Sequence, residues 1–112
     1  MATRSTLRIS TPNKTSKVSY CHWDGFPSNM LPILNGNYNT IEKANELIAL
    51  GNLSSLGKRV KPEPGENHSF NSPISDVTVA YHRDRGEKLE WYDKNNREKY
   101  NYEFDGTSWL LI

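Results

Sequence analysis

Tyr20, His22 and Asp24 occupy alternate positions in the stretch Val18 to Pro27, V-S-Y-C-H-W-D-G-F-P. In an extended chain that spacing sends a phenol, an imidazole and a carboxylate to one face, and Ser19, Cys21 and Trp23 to the other. Asp24-Gly25 reads as a tight turn with Gly25 in the positive-φ region, and Pro27 fixes the exit. Polar groups gathered where a strand breaks are well placed to meet a ligand. A strand with a mixed aromatic core is the competing reading of the same pattern.

A second chemical stretch is Tyr81-His82-Arg83-Asp84-Arg85-Gly86-Glu87. Arg83 and Arg85, separated by one residue, could form a multi-donor clamp for phosphate or carboxylate, a task that suits the bidentate guanidinium better than an ammonium. Asp84 and Glu87 could hold those guanidiniums in place or neutralise them in a surface salt network, and spacing alone favours the network. Tyr20, Trp23 and Tyr81 could stack on a base or ring. Together these residues describe a nucleotide-sized pocket better than a protease or metal site.

Catalytic patterns are weaker. Cys21 and His22 are adjacent on a strand and so point apart, which leaves the thiol without an activating base and makes a buried inert cysteine the default. His22, Asp24, His68 and His82 lack metal-ligand spacing such as H-x-x-x-H. There is no phosphate-binding P-loop, no G-x-G-x-x-G and no G-x-S-x-G, and no cofactor is expected.

The elements that must position these residues follow from pattern and punctuation. The chain has 112 residues, enough for one domain with its own core, but only 35% are hydrophobic. Fourteen basic and thirteen acidic residues leave a formal charge of +1, which argues against a dedicated nucleic-acid binder relying on a strong global field. One cysteine excludes an internal disulfide and suits a reducing cytoplasm. No apolar run is long enough to span a bilayer, and no signal peptide is expected.

Ser5 to Thr11 and Thr15 to Trp23 read as a hairpin about Pro12-Asn13-Lys14. Ser28 to Gly36 reads as a short helix that Pro32 opposes, since proline is comfortable only in a first turn. The next helix is expected from an Asn39 N-cap with Glu42 at capping-box spacing, through the stripe Ile41, Ala44, Leu47 and Ile48, to a stop at Gly51. Leu53 to Gly57 suggests a single helical turn. A long loop over about 57–75 follows, with the basic cluster Lys58-Arg59-Val60-Lys61, and loops of this length are usually functional or disordered. Asp76 to His82 alternates as a strand, and Tyr100 to Phe104 with Ser108 to Ile112 forms a hairpin about Asp105-Gly106. The expected fold is α+β, an antiparallel sheet of about five strands with two helices packed on one face.

Four ordered stretches, Ala2 to Leu7, Tyr20 to Pro27, Leu47 to Leu56 and Tyr81 to Glu87, resemble the successive motifs of a widespread family of short tailed-phage proteins. The family's central motif usually reads Tyr-Cys-His-Trp-Asp-Gly-Tyr, so Phe26 departs from it, and Pro32 stands in a stretch that is usually Gly-rich and proline-free. The resemblance covers nearly the whole chain up to Glu87 and leaves out the C-terminal hairpin. It implies an anti-CBASS sponge, an oligomeric protein of the infected host's cytoplasm that captures cyclic dinucleotide immune signals without cleaving them.

The leading expectation is therefore a phage counter-defence protein that binds a phosphorylated nucleotide messenger as a homo-oligomer, with no membrane partner. Arg83 and Arg85, with Arg4 as a third candidate, would meet phosphates; Tyr20, Trp23 and Tyr81 would stack on bases; His22 and Asp24 would read base edges or fix the turn. The Trp109 to Ile112 end is a candidate oligomer surface, with a core strand as its duller role. A protein-binding inhibitor of a host or defence enzyme is the main alternative. A small nucleotide hydrolase, with His22 as base and Asp24 as orienter, is the other.

Overall fold

The computed structural model describes residues 2–10 and 17–112. In chain order the elements are β1 (Ser5–Ile9), β2 (Val18–Cys21), α1 (Pro27–Asn37), α2 (Ile41–Ile48), β3 (Leu53–Ser55), β4 (Val79–Ala80), α3 (Tyr81–Arg85), β5 (Tyr100–Phe104) and β6 (Trp109–Leu111). The class is α+β, as the alternating segments predict, but the sheet has six strands in the order β4-β3-β2-β1-β5-β6 and is mixed. β1 pairs antiparallel with β2 and parallel with β5, and β2 pairs parallel with β3. The all-antiparallel, five-stranded sheet with two helices is thus corrected, among the described residues, to a mixed six-stranded sheet with three helices. Alternation reveals which face a residue takes, not strand direction. The stretch between β2 and β3, which holds α1 and α2, is long enough for the crossover that a parallel pair requires.

β1 is central and closely covered on both faces, with Ser5, Thr6 and Leu7 fully buried. Leu7 and Ile9 join Tyr102 and Phe104 in the core against Met30, Leu34, Ala44 and Leu47 of α1 and α2. On the opposite face Thr6 donates to Asn101 Oδ1 at 2.6 Å, and Arg8 donates to the Lys94 carbonyl at 3.3 Å. Asn35 of α1 pairs through its amide with both backbone groups of Trp109, at 2.7 and 3.2 Å, and so covers part of the β6 edge.

Both predicted pairings form, and β2 stops at Cys21, two residues short of the expected Trp23; residues 11–16, with the Pro12 to Lys14 turn, lie outside the described residues. Asp105 accepts from the Thr107 and Ser108 amides, which closes the C-terminal turn. α1 runs through Pro32. Ser28 and Pro32 are both exposed, so the bond that proline removes lies on the solvent side of the helix. The α2 cap is Thr40 rather than Asn39, its hydroxyl accepting from Lys43 N at 3.2 Å. Gly51 ends that region at φ 79°, where a Cβ would lie 2.6 Å from the Glu90 carbonyl oxygen.

Two expectations fail locally. Leu53 to Gly57 is not a helical turn: Leu53 pairs with Cys21 and extends the sheet as β3. The strand expected over Asp76 to His82 is reduced to Val79 and Ala80, because α3 begins at Tyr81. Asp84 causes that turn by reaching back to accept from Ala80 N at 2.8 Å, a local bond that competes with further ladder pairing. The long loop is held by Arg59, which bridges Glu66 and Asp76 at 2.7 and 2.9 Å.

Candidate ligand groove

The Tyr20 to Pro27 motif straddles the end of β2. Its backbone continues beside β3, His22 N donating to Leu53 O at 3.1 Å and Trp23 N to Ser54 O at 2.9 Å. Tyr20 and His22 do share a face, as alternation predicts, with the Tyr20 hydroxyl 2.7 Å from His22 Nδ1. Burial pushes the Tyr20 hydroxyl above its ordinary value, so it stays protonated beside the imidazole. The His22 ring meets Trp23 edge-on, centroids 4.7 Å apart, and Tyr20 stacks on Tyr92 at 5.6 Å.

The turn uses its two residues in the reverse of the expected way. Asp24, not Gly25, takes the left-handed conformation, at φ 56°. Gly25 is demanded by crowding instead: an added Cβ would stand 2.6 Å from the Ser5 side chain. Its N–H donates to Thr3 O at 2.8 Å, and its carbonyl accepts from the buried Tyr102 hydroxyl at 2.6 Å. Cys21 is buried and its thiol pushed up to about 12, chiefly by burial, which removes it as a nucleophile.

Across the end of the sheet stands α3, whose two arginines have different fates. Arg83 donates to the Val60 and Thr78 carbonyls and to both oxygens of Asp84. Arg85 lies outside, paired with Glu87, its guanidinium 4.7 Å from the Phe70 ring centroid and 5.4 Å from that of Tyr81. The expected Arg83–Arg85 clamp does not assemble. On a strand the two side chains would share a face, whereas on a helix residues two apart diverge by about 200°. His82 also turns away, its Nδ1 lying 2.6 Å from the Glu87 carbonyl oxygen.

Between the motif and α3 lies an open groove of about 510 Å³. Ser54, Ser55 and Val79 line its strand side; His22 and Trp23 come from the end of β2, Tyr81 and Arg85 from α3, and Phe70 and Pro73 from the long loop. Phe70 and Tyr81 face one another at 5.6 Å, and Trp23 is 46% exposed, which leaves it free to meet a ligand. Four expected site residues thus meet here: His22, Trp23, Tyr81 and Arg85.

The other four do not line it. Tyr20 touches it only through His22, and Arg83 is occupied inside the fold. Arg4 is exposed, and its charge acts on Tyr20 and Tyr92 rather than on the groove. Asp24 lines a neighbouring hollow of about 270 Å³ with Asn29, Lys58 and Asp76, and the two hollows share Ser55. His22 Nδ1, the nitrogen an orienting carboxylate would take, is paired with the Tyr20 hydroxyl instead of Asp24. Sequence reasoning missed Phe70 and Pro73; an aromatic in an otherwise polar, proline-punctuated loop was the available signal.

An aromatic groove with a cation at its rim can stack a planar ring and pair with an anion attached to it. Among the described residues, no helix is long and apolar enough to cross a membrane, and no group of three His, Cys, Asp or Glu side chains is placed to hold a metal ion. The chain matches no protein-family model, no curated protein and no solved structure.

Proposed function

We propose that the groove binds a phosphorylated nucleotide of the cyclic dinucleotide type and sequesters it intact, as a phage counter-defence protein acting in the host cytoplasm. The observation that carries this reading is the convergence of Trp23, Phe70 and Tyr81 with Arg85 on one open groove. A base stacks among the three rings, and Arg85 exchanges Glu87 for a phosphate. His22 contributes a polar edge for base recognition. Arg83 is withdrawn from ligand contact and kept as the support of α3. The volume of about 510 Å³ falls within the range of small-molecule sites and suits one nucleotide unit. A cyclic dinucleotide would then engage a second copy, and the nearly half-exposed Leu110, Leu111 and Ile112 offer an apolar surface for such an oligomer.

The test is calorimetry of the purified protein against cyclic di- and trinucleotides, with mass spectrometry of the ligand recovered after heating. Saturable binding with unchanged ligand mass is expected. A changed mass would make the protein a hydrolase, and no binding to any nucleotide would move the search to a protein partner.

A further inference from the structure

His68 is nearly the inverse of its surroundings. It sits in a stretch where Glu63 to Asn67, Ser69 and Asn71 to Pro73 are exposed, yet its side chain is only 1% exposed. Its Nδ1 lies 3.1 Å from Ile74 N, which must be the donor because an amide nitrogen cannot accept. Nδ1 is therefore unprotonated and the ring proton resides on Nε2. That nitrogen is buried and lies 3.3 Å from Asp84 Oδ2, off the line of a good hydrogen bond. Asp84 is itself fixed by Arg83 and by the Ala80 amide. The two ring nitrogens thus face two different structures: Nδ1 closes the turn from residue 68 to residue 74, and the buried Nε2–H approaches the Asp84 carboxylate of α3 at 3.3 Å, a charge–dipole contact rather than an aligned hydrogen bond. Phe70 and Pro73 belong to the turn, and Tyr81 and Arg85 to α3.

We infer that His68 is a positioning residue, a neutral imidazole that latches the 68–74 turn onto Asp84 and so sets Phe70 as one wall of the groove. The inference rests on the binding reading above only for its consequence on ligand affinity; the latch itself is a statement about the free protein. Nothing else on this turn offers an equivalent polar tie to α3 among the described residues: Ser69 and Ser72 bond to each other, and Ile74 O accepts from Val77 N. Phe70 touches Tyr81 and Arg85 through ring contacts alone, which tolerate sliding. Removing the imidazole should therefore release the wall without dismantling the sheet.

The experiment is solution NMR of the full chain as wild type, His68→Ala and His68→Gln. Wild type should show the Nε2–H tautomer at His68 in long-range nitrogen–proton spectra and ring-to-ring Overhauser contacts between Phe70 and Tyr81. His68→Ala should lose those contacts while the β1, β2 and β5 amide shifts stay in place. His68→Gln, whose amide can still reach Asp84, should recover part of them. Persistence of the Phe70–Tyr81 contacts in His68→Ala, or an Nδ1–H tautomer in wild type, overturns the latch. If His68→Ala fails to fold, the wild-type tautomer and the His68→Gln contacts decide it. With cyclic di-AMP as probe, His68→Ala should bind about tenfold more weakly, the loss of one stacking partner. Wild type that shows the latch but binds no nucleotide would reject the ligand reading and leave the latch standing; equal binding by both proteins, with Phe70 in place, would reject the latch alone.

Discussion

The inward and outward sides of α3 carry the same residue type and put it to opposite uses. Inward, Arg83 is three-quarters buried and donates to two carbonyls and a carboxylate. Outward, Arg85 is half exposed, held by one carboxylate and two aromatic rings. A guanidinium whose donors already have fixed partners gains little from a ligand phosphate, because each new bond replaces an existing one. One with a single exposed ion pair can exchange its partner at small cost, since such pairs contribute little. The difference teaches that availability depends on the donors left over after folding, and that two arginines in one motif need not belong to one site.

Arg83→Ala is the largest way to break that comparison. It strips Asp84 of its cation, frees the Val60 and Thr78 carbonyls, and loosens the start of α3. Breaking a buried pair by removing one partner is strongly destabilising, and the expected loss is about 3 kcal/mol in urea unfolding. A loss below about 0.5 kcal/mol, the range of ordinary surface substitutions, would place Arg83 with Arg85 and reopen the clamp.

Arg85→Ala tests the outward side. Its stability should change by less than about 0.5 kcal/mol, while binding of a nucleotide that stacks in the groove should fall by about tenfold or more. Trp23→Ala should behave similarly for a different reason: it removes a half-exposed ring, and base stacking is worth about 1–3 kcal/mol per base. Paired calorimetry and melting curves separate these variants from Arg83→Ala. If Arg85→Ala melted as low as Arg83→Ala, the division between support and contact would be lost.

What the sequence reveals and what it hides follow the range of the interactions involved. The Tyr20–His22 pairing is legible because alternation along a strand is a local rule, and the C-terminal hairpin is legible because Asp105-Gly106 forms its own turn. The α2 stripe is legible for the same reason at Ala44, Leu47 and Ile48, with an error of one residue at its cap and with Ile41, expected in the stripe, left exposed in the first turn. The parallel pairing of β1 with β5 is not, because it joins strands about ninety residues apart and leaves no periodic trace. The site divides along the same line. His22 keeps the face it shares with Tyr20, but Trp23, expected on the other face, joins it in the groove because β2 ends at Cys21 and alternation stops there. Arg83 and Arg85 share a face only if Asp76 to His82 continues as a strand, and Asp84's bond to Ala80 N prevents that. Phe70 reaches the groove on a turn whose His68 lies 3.3 Å from Asp84, and no spacing rule connects those two residues.

The smallest expected effect is on acid stability, and it concerns the inward side alone. Burial by itself would raise the Asp84 carboxyl, but hydrogen bonds from Arg83 and the Ala80 amide, with the Arg83 charge, outweigh it and hold the group below its ordinary value. A carboxyl lowered in the folded state binds its proton more readily when unfolded. Its stabilising contribution is therefore fully present above the unfolded value, about 3.9, and is lost as pH falls through the lower folded value. Unfolding free energy should thus decline as pH drops below about 4, and Asp84→Asn should flatten that part of the profile while lowering stability at neutral pH. Glu66 and Asp76, lowered by Arg59, add to the same decline in wild type, so the informative quantity is the difference between the two profiles. Arg85→Ala should leave that difference unchanged. If instead the two profiles run parallel down to the acid limit, Asp84 carries no linked proton, and the inward network holds α3 by geometry without the charge assigned to it.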